Sequence, residues 1–226
     1  MSSTNPKERW LLTTGAIAGV LWAGLTVATD LWLDVPDSTG DPARMEHAFL
    51  DREPAAWAMV LGSIYVAVAV VLFAAAVQRR LGQSSTGPAV LGGGVLLAVA
   101  LLVHQGMGRF ALLSAAHHHD LPSIRTLGYI DAVTWLFLSA GEGLFLLAVG
   151  IAALRARAMP RWLSVVTVVL GMLALLGPGA ILFYLLVGPF WFVACAAALH
   201  RDQRELGESR NDQSVGEEAA LPARGT

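Results

Sequence analysis

The sequence predicts an all-α, polytopic membrane protein: a six-helix transmembrane bundle with both termini in the cytoplasm. Hydrophobic residues make up 55% of the 226 residues, charged residues only 14%, and the mean hydropathy is +0.60. Soluble domains are typically less apolar and more charged. The apolar residues also cluster in runs of roughly 17 to 26, the length that crosses a bilayer as a helix. The connectors between these runs are short and charged.

Six transmembrane helices are predicted, and together they form one domain over residues 10–199. They are expected at about residues 10–33, 55–77, 89–113, 129–154, 162–176 and 180–199. Residues 1–9 form a short cytoplasmic N-terminus. Residues 200–226 are charged and poor in large apolar side chains, so we expect a disordered cytoplasmic tail.

The first apolar run is too long for a signal peptide and has no convincing small-x-small cleavage site, so it predicts a retained helix. The polar connector after it contains Asp41-Pro42, an N-cap residue followed by proline at the first helical position. This pattern predicts a short surface helix over residues 43–50. The second helix ends at Arg79 and Arg80, and a Ser/Gly-rich turn leads into the third.

The last three helices are separated by recognisable breaks. Arginines around Pro160 end the fourth helix, and Gly177-Pro178-Gly179 turns the fifth directly into the sixth. Within the sixth helix, Gly188-Pro189 should kink or loosen the backbone, since proline has no N–H to donate.

The distribution of positive residues predicts the orientation. Cytoplasmic connectors are enriched in lysine and arginine. Most of the positive residues fall on the side that carries both termini: Lys7, Arg9, Arg79, Arg80, Arg155, Arg157, Arg161, Arg201, Arg204, Arg210 and Arg224. The opposite side is acidic and contains most of the histidines. We therefore expect a multi-pass protein of a bacterial inner membrane.

The fourth helix carries two acids, Asp131 near its outer end and Glu142 near its middle. A carboxylate inside a membrane is unfavourable and marks a functional site by default. Eleven residues are close to three helical turns, so both acids lie along one face. Gly141 and Gly143 flank Glu142 and should let neighbouring helices approach closely.

The third helix offers counterparts for these acids in His104, Gln105 and Arg109. We expect Arg109 to pair with Asp131 or Asp30, and His104 to pair with Glu142, because hydrocarbon cannot solvate isolated charges. Two interpretations remain open. The residues are either structural pairs between helices, or they line an outward-open cavity for a ligand or a proton.

The candidate site residues follow from these positions. Glu142, Asp131 and His104 are candidate catalytic residues, and the candidate ligand-binding residues are Arg109, Gln105, Asp30, Trp135, Tyr184 and Trp191. No metal site and no cofactor is predicted. Three consecutive histidines, 117–119, point in different directions from a loop, and His104 has no second embedded histidine at a matching depth for haem.

The segment AALRARAMPRWLSVVTVVLGMLALLGP resembles part of a bacterial family of six-helix membrane proteins catalogued as a domain of unknown function. In that family an apolar helix leaves through a proline-arginine turn and re-enters as a short glycine-bearing helix. The connector ARMEHAFLDREP is also similar to the family pattern. The resemblance would cover about residues 10–199. It implies the fold and topology and carries no activity.

Three functions are consistent with the sequence. The leading hypothesis is an integral membrane protein whose outward-facing polar cavity binds a small lipophilic or cationic ligand. The alternative is a membrane-embedded acid–base enzyme, such as an isoprenoid cyclase or isomerase, that uses Glu142 and Asp131. The third is a proton-coupled small-molecule carrier, which would require a homodimer because the chain is small and shows no internal repeat. Membrane lipid is an expected partner, and no nucleic-acid-binding pattern is present.

Overall fold

A computed structural model describes residues 6–26, 40–81 and 86–199. These residues form helices joined by short turns, and no strand occurs among them. In chain order the seven helices are α1 Pro6–Thr26, α2 Pro42–Asp51, α3 Glu53–Leu81, α4 Gly87–His117, α5 Leu121–Ala156, α6 Arg161–Leu175 and α7, which begins at Pro178 and contains the span Ala180–Leu199.

The structure corrects the predicted count of six helices. The helices number seven over the described ranges, because the surface helix α2 joins the six apolar ones. Four of them, α3, α4, α5 and α7, are long and apolar enough to cross a membrane, whereas the apolar parts of α1 and α6 are shorter than 18 residues. The predicted end of the first helix, residues 27–33, lies outside the described residues.

Large apolar side chains cover the outside of the long helices. On α5 they include Val133, Leu136 and Phe137, each more than half exposed, and Phe190 on α7 is 77% exposed. A contiguous exposed apolar surface is unfavourable in water and marks contact with lipid or another protein. The exposed faces therefore support the same conclusion as the helix lengths, that this chain is a membrane protein.

Helix α2 packs across one end of the bundle and shows which helix ends lie together. Its Met45 and Phe49 are buried against the neighbouring helices. At the same end, the His119 side chain after α4 contacts Glu46 of α2, and His117 Nε2 lies 3.4 Å from Glu53 Oε1 at the start of α3. We call this the α2 end. Because α3, α4 and α5 alternate in direction, the arginines that close α3 and α5 lie at the opposite end.

Helix α5 begins eight residues earlier than predicted, at Leu121 instead of residue 129. Asp120 is its N-cap, accepting hydrogen bonds from the Ser123 backbone N–H at 3.2 Å and from the Ser123 hydroxyl, and Pro122 stands in the first turn. This is the Asp-then-proline pattern that identified α2, and it was readable in the sequence. With 36 residues, α5 is roughly 54 Å long, well beyond a bilayer core of about 30 Å.

We expect the Asp120 cap to make a pH-dependent contribution to stability. The Ser123 side-chain and backbone hydrogen bonds lower the pKa of the Asp120 carboxyl below its usual value. A carboxyl whose pKa is lower in the folded state stabilises the fold above the unfolded pKa of about 3.9, and this contribution is lost as the pH falls through the folded pKa. Asp120→Ala should therefore lower the unfolding temperature at pH 7 and have a smaller effect near pH 3.

Thermal unfolding in detergent at both pH values tests this expectation. Ser123→Ala removes the hydroxyl donor and should lower the unfolding temperature by part of the amount that Asp120→Ala does. In the double variant the two losses should not add fully, because both substitutions remove the same hydrogen bond. An Asp120→Ala effect of the same size at pH 7 and pH 3 would contradict the role of the ionised carboxylate.

Close contacts at glycines fix the packing of α5 between α4 and α6. A Cβ added at Gly141 would lie 3.0 Å from Leu97 Cα of α4, and one at Gly143 would lie 2.6 Å from Leu175 Cγ of α6. Side chains at these positions would push the helices apart. The predicted close approach on both sides of Glu142 is confirmed, and it seals that residue inside the bundle, where its exposed fraction is 0%.

Two helices contain π-helical segments, in which the backbone hydrogen bond spans five residues instead of four. They are Leu102–Gly108 in α4 and Phe183–Val187 in α7. The second directly precedes Gly188-Pro189, as expected where proline interrupts the α-helical bonding. Segments of this kind are frequent at functional sites, and both contribute side chains to the cluster described next.

Candidate functional site

An ion pair between α4 and α5 lies at the centre of a buried polar cluster. Arg109 Nη1 is 3.3 Å from Asp131 Oδ2, and both side chains are more than nine-tenths buried. The contact is within ion-pair distance but is not aligned as a hydrogen bond. Of the two partners predicted for Arg109, Asp131 is confirmed. Asp30 lies outside the described residues.

His104 faces the same carboxylate, so the predicted pair between His104 and Glu142 is wrong. Its Nδ1 is 2.9 Å from Thr134 Oγ1 and 3.5 Å from Asp131 Oδ1. The Thr134 hydroxyl donates its one proton to the Asp131 backbone carbonyl, at 2.9 Å. It can then only accept from His104, which assigns the proton of the neutral imidazole to Nδ1 and leaves Nε2 as an acceptor.

A hydrogen bond joins the two π-helical segments and extends the cluster to α7. Gln105 Nε2 donates to the Tyr184 hydroxyl at 3.1 Å. The Trp135 ring lies between the two helices, with its centroid 5.5 Å from that of His104 and 5.9 Å from that of Tyr184. Three of the predicted site residues, His104 of α4, Trp135 of α5 and Tyr184 of α7, therefore lie in contact.

The backbone of the α7 segment is held by α1. In the five-residue bonding of a π segment, the Tyr184 carbonyl would accept from the backbone nitrogen of residue 189, but Pro189 has no N–H. The carbonyl instead accepts from Trp22 Nε1 at 3.0 Å and from Thr26 Oγ1 at 3.1 Å. Trp22 is fully buried, and this contact fixes the backbone from which the Tyr184 side chain extends.

Several buried polar atoms of this cluster have no hydrogen-bond partner within residues 6–26, 40–81 and 86–199. They are Gln105 Oε1, Arg109 Nε, Arg109 Nη1 and Asp131 Oδ1. An unpaired polar group in a protein interior costs about 1–3 kcal/mol, so native structures usually satisfy such groups with water or a ligand. We define these four atoms with His104, Thr134 and Tyr184 as the polar site.

Glu142 lies apart from the polar site, deeper in the bundle. It is eleven residues beyond Asp131, or roughly 16 Å along the helix axis. Its side chain is completely buried, and neither carboxyl oxygen has a hydrogen-bond partner among the residues described. The Gly141 and Gly143 contacts exclude solvent from both sides. Glu142 is thus a buried acid whose partner the described residues do not supply.

Trp191 belongs to an aromatic core, not to the polar site. Its Nε1 donates to Thr167 Oγ1 of α6 at 3.0 Å, and its ring lies 5.2–6.1 Å from four phenylalanine rings: Phe73, Phe145, Phe183 and Phe192. Rings packed at these distances and mostly edge to face are typical of a filled core.

Sequence reasoning missed two residues of the site region, Thr134 and Trp22. Thr134 stands one helical turn after Asp131, a spacing that could have indicated a shared face. No local signal marks Trp22, because its partner is 162 residues away in the chain. Within the described residues no group of three or more histidine, cysteine or acidic side chains could hold a metal ion.

Comparison of the chain with protein family models, characterised proteins and solved structures finds no match. The resemblance to the six-helix bacterial family therefore stays a prediction. The geometry of the polar site and of Glu142 is therefore what indicates the function.

Proposed function

We propose that this chain is a multi-pass protein of a bacterial inner membrane, crossing it six times with both termini in the cytoplasm, and that its polar site binds a small lipophilic ligand. The topology is supported by four long apolar helices and by the arginines that gather at the end of the bundle opposite α2. The α2 end would then face outward, as the predicted outward-facing site requires.

The observation that carries the binding function is the set of unpaired buried atoms. Two are donors, both on Arg109, and two are acceptors, on Gln105 and Asp131. They lie within one cluster formed by π-helical segments, which widen a helix and often occur where a ligand is bound. A ligand with a small polar head would satisfy them, and the surrounding bundle would hold its apolar part.

The charges at the polar site favour a neutral head over a cationic one. Asp131 already has a cation beside it in Arg109, and the neutral His104 ring lies next to its other oxygen. A second cation at this carboxylate would be repelled by the guanidinium at close range in a medium of low dielectric constant. Of the two predicted ligand classes, lipophilic and cationic, the lipophilic one therefore fits this site better.

Glu142 supports a second candidate, acid–base chemistry within the bundle. A carboxyl group without solvent contact, and with no partner for either oxygen across residues 6–26, 40–81 and 86–199, is poised to give or accept a proton. Aromatic faces could stabilise a carbocation formed from an isoprenoid. The rings around Trp191, however, already contact one another, so ligand binding at the polar site remains our first choice. Proton-coupled transport would also use Glu142 and would need the homodimer.

Co-purification of a bound lipophile tests the binding function. The protein is purified in mild detergent, and its lipophilic contents are extracted and compared by mass spectrometry with those of Gln105→Leu. We expect the wild-type protein to retain a compound that the variant loses at least tenfold. Gln105→Leu removes both an unpaired buried acceptor and the bond to Tyr184, so its effects on stability oppose each other and the control below is needed to separate stability from binding.

Thr167→Val is the matched control, because it removes a buried polar contact in the aromatic core and leaves the polar site intact. It should retain the compound. Equal loss in both variants, or extraction of nothing beyond bulk membrane lipid from the wild-type protein, would overturn the proposal.

A further inference from the structure

We infer that the head group bound at the polar site is a hydroxyl, so that the ligand is a long-chain or isoprenoid alcohol, with His104 Nε2 accepting the hydroxyl proton. This inference rests on the binding function proposed above and specifies its ligand class. It follows from the kinds of donor and acceptor atom that the polar site leaves unused.

The His104 ring presents a free acceptor. Its Nδ1 proton is assigned by Thr134, whose only hydroxyl proton goes to the Asp131 carbonyl, and the nearby Asp131 carboxylate favours the same tautomer. Over the described part of the chain Nε2 makes no hydrogen bond. Thr134 therefore acts as a positioning residue: it aims an imidazole lone pair, not an N–H, away from α5.

Arg109 supplies the complementary donors. Its Nη1 flanks Asp131 Oδ2 while His104 Nδ1 flanks Asp131 Oδ1, so the guanidinium and the imidazole border one carboxylate. Its Nε and Nη1 have no hydrogen-bond partner in the described residues. A head group bound in the polar site would therefore need to accept from Arg109, and it could donate to His104 Nε2 or to Gln105 Oε1.

A hydroxyl matches this set because it donates one hydrogen bond and accepts others. A carboxylate head would suit Arg109 but would place negative charge beside Asp131 and the lone pair of Nε2. An amine head would suit Nε2 but would place a positive charge beside Arg109. A ketone or an ether only accepts, so it would leave Nε2 without a donor, whereas the single proton of a hydroxyl can be donated there.

The apolar part of such an alcohol has a direct route to lipid. Val103, the residue before His104, is 36% exposed, and Met107 on the same π-helical segment is 71% exposed. Trp135, which packs against His104, is only half-buried and is followed in α5 by the exposed Leu136. The polar site is thus adjacent to the apolar outer face of the bundle, where a hydrocarbon chain can extend into the membrane.

Titration of the purified full chain in nanodiscs with four farnesyl compounds tests the ligand class. The probes are farnesol, its methyl ether, farnesylamine and farnesoic acid. We expect farnesol to bind at least tenfold more tightly than the ether, which shares its chain and oxygen but lacks the proton, and more tightly than the charged probes. Comparable binding of alcohol and ether, or tighter binding of the amine or the acid, would overturn the inference.

His104→Phe tests the acceptor, because it keeps a ring beside Trp135 and removes Nε2. The preference for alcohol over ether should shrink to less than threefold in this variant, and its persistence would also overturn the inference. If the variant does not fold, Thr134→Val provides the second test: without the 2.9 Å bond to Thr134 the His104 ring loses the contact that orients it, and the same preference should fall. The head-group series on the wild-type protein stands without either variant.

The two proposals fail in different ways. If farnesol does not bind but a Gln105-dependent lipophile still co-purifies, the alcohol inference is wrong and the binding function stands. If neither is observed, ordered water fills the polar site and both proposals are wrong.

Discussion

Arg109→Gln should lower the free energy of unfolding by about 3–5 kcal/mol, because it leaves Asp131 as a buried carboxylate without its cation. His104 on the other side of that carboxylate is neutral and its N–H is directed to Thr134, so the remaining contacts cannot replace the guanidinium. Thermal or denaturant unfolding in detergent measures the loss.

Asp131→Asn in the Arg109→Gln background should recover most of this stability, since the double variant buries no charge at the pair. Arg155→Gln, at an exposed position at the far end of α5, is the matched control and should change stability by no more than about 0.5 kcal/mol. A loss of less than about 1 kcal/mol for Arg109→Gln, or no recovery in the double variant, would show that water solvates the pair.

Replacing Glu142 by an apolar residue should stabilise the protein, in contrast to the loss expected for Arg109→Gln. Glu142→Leu should raise the free energy of unfolding by about 1–3 kcal/mol, because it removes two buried oxygens that have no partner in the described residues. Glu142→Gln keeps the shape of the side chain and should leave the protein folded. If Glu142 takes part in acid–base chemistry, the glutamine variant abolishes turnover while its unfolding temperature stays close to that of the wild-type protein.

Leu146→Ala, one turn further along α5 and also fully buried, is the control for sensitivity to packing. It should lose about 2–5 kcal/mol, as large-to-small changes in cores do. Destabilisation of more than about 1 kcal/mol by Glu142→Leu would mean that the carboxyl has a stabilising partner, and the idea of a free buried acid would be abandoned.

The helix pattern was largely readable because it is local. Apolar runs, Gly-Pro breaks and the Asp41-Pro42 cap act through neighbouring residues, and each of the predicted helices has a counterpart among α1 and α3 to α7. The start of α5 was predicted too late. The signal for the correct start is also local, since Asp120 is the N-cap and Pro122 stands in the first turn.

The composition of the polar site was only partly predictable from spacing. The sequence predicted that His104 and Arg109 of one helix both pair with acids of its neighbour, but these residues are five apart and would point about 140° away from each other in an α-helix. The π-helical segment Leu102–Gly108 adds a residue to the turn and lets both His104 and Arg109 face Asp131. Periodicity cannot anticipate such an insertion.

The sequence by itself determined that the chain is helical and has the composition of a membrane protein. It also identified the polar side chains whose burial among apolar helices is unfavourable: Asp131, Glu142, His104 and Arg109. Only the tertiary structure decided that Arg109 and His104 share Asp131 while Glu142 has no partner in the described part of the chain. The physical reason is that pairing depends on the rotation and depth of each helix. These are set by close contacts such as those at Gly141 and Gly143, and by the bond from Trp22 to the Tyr184 carbonyl across 162 residues.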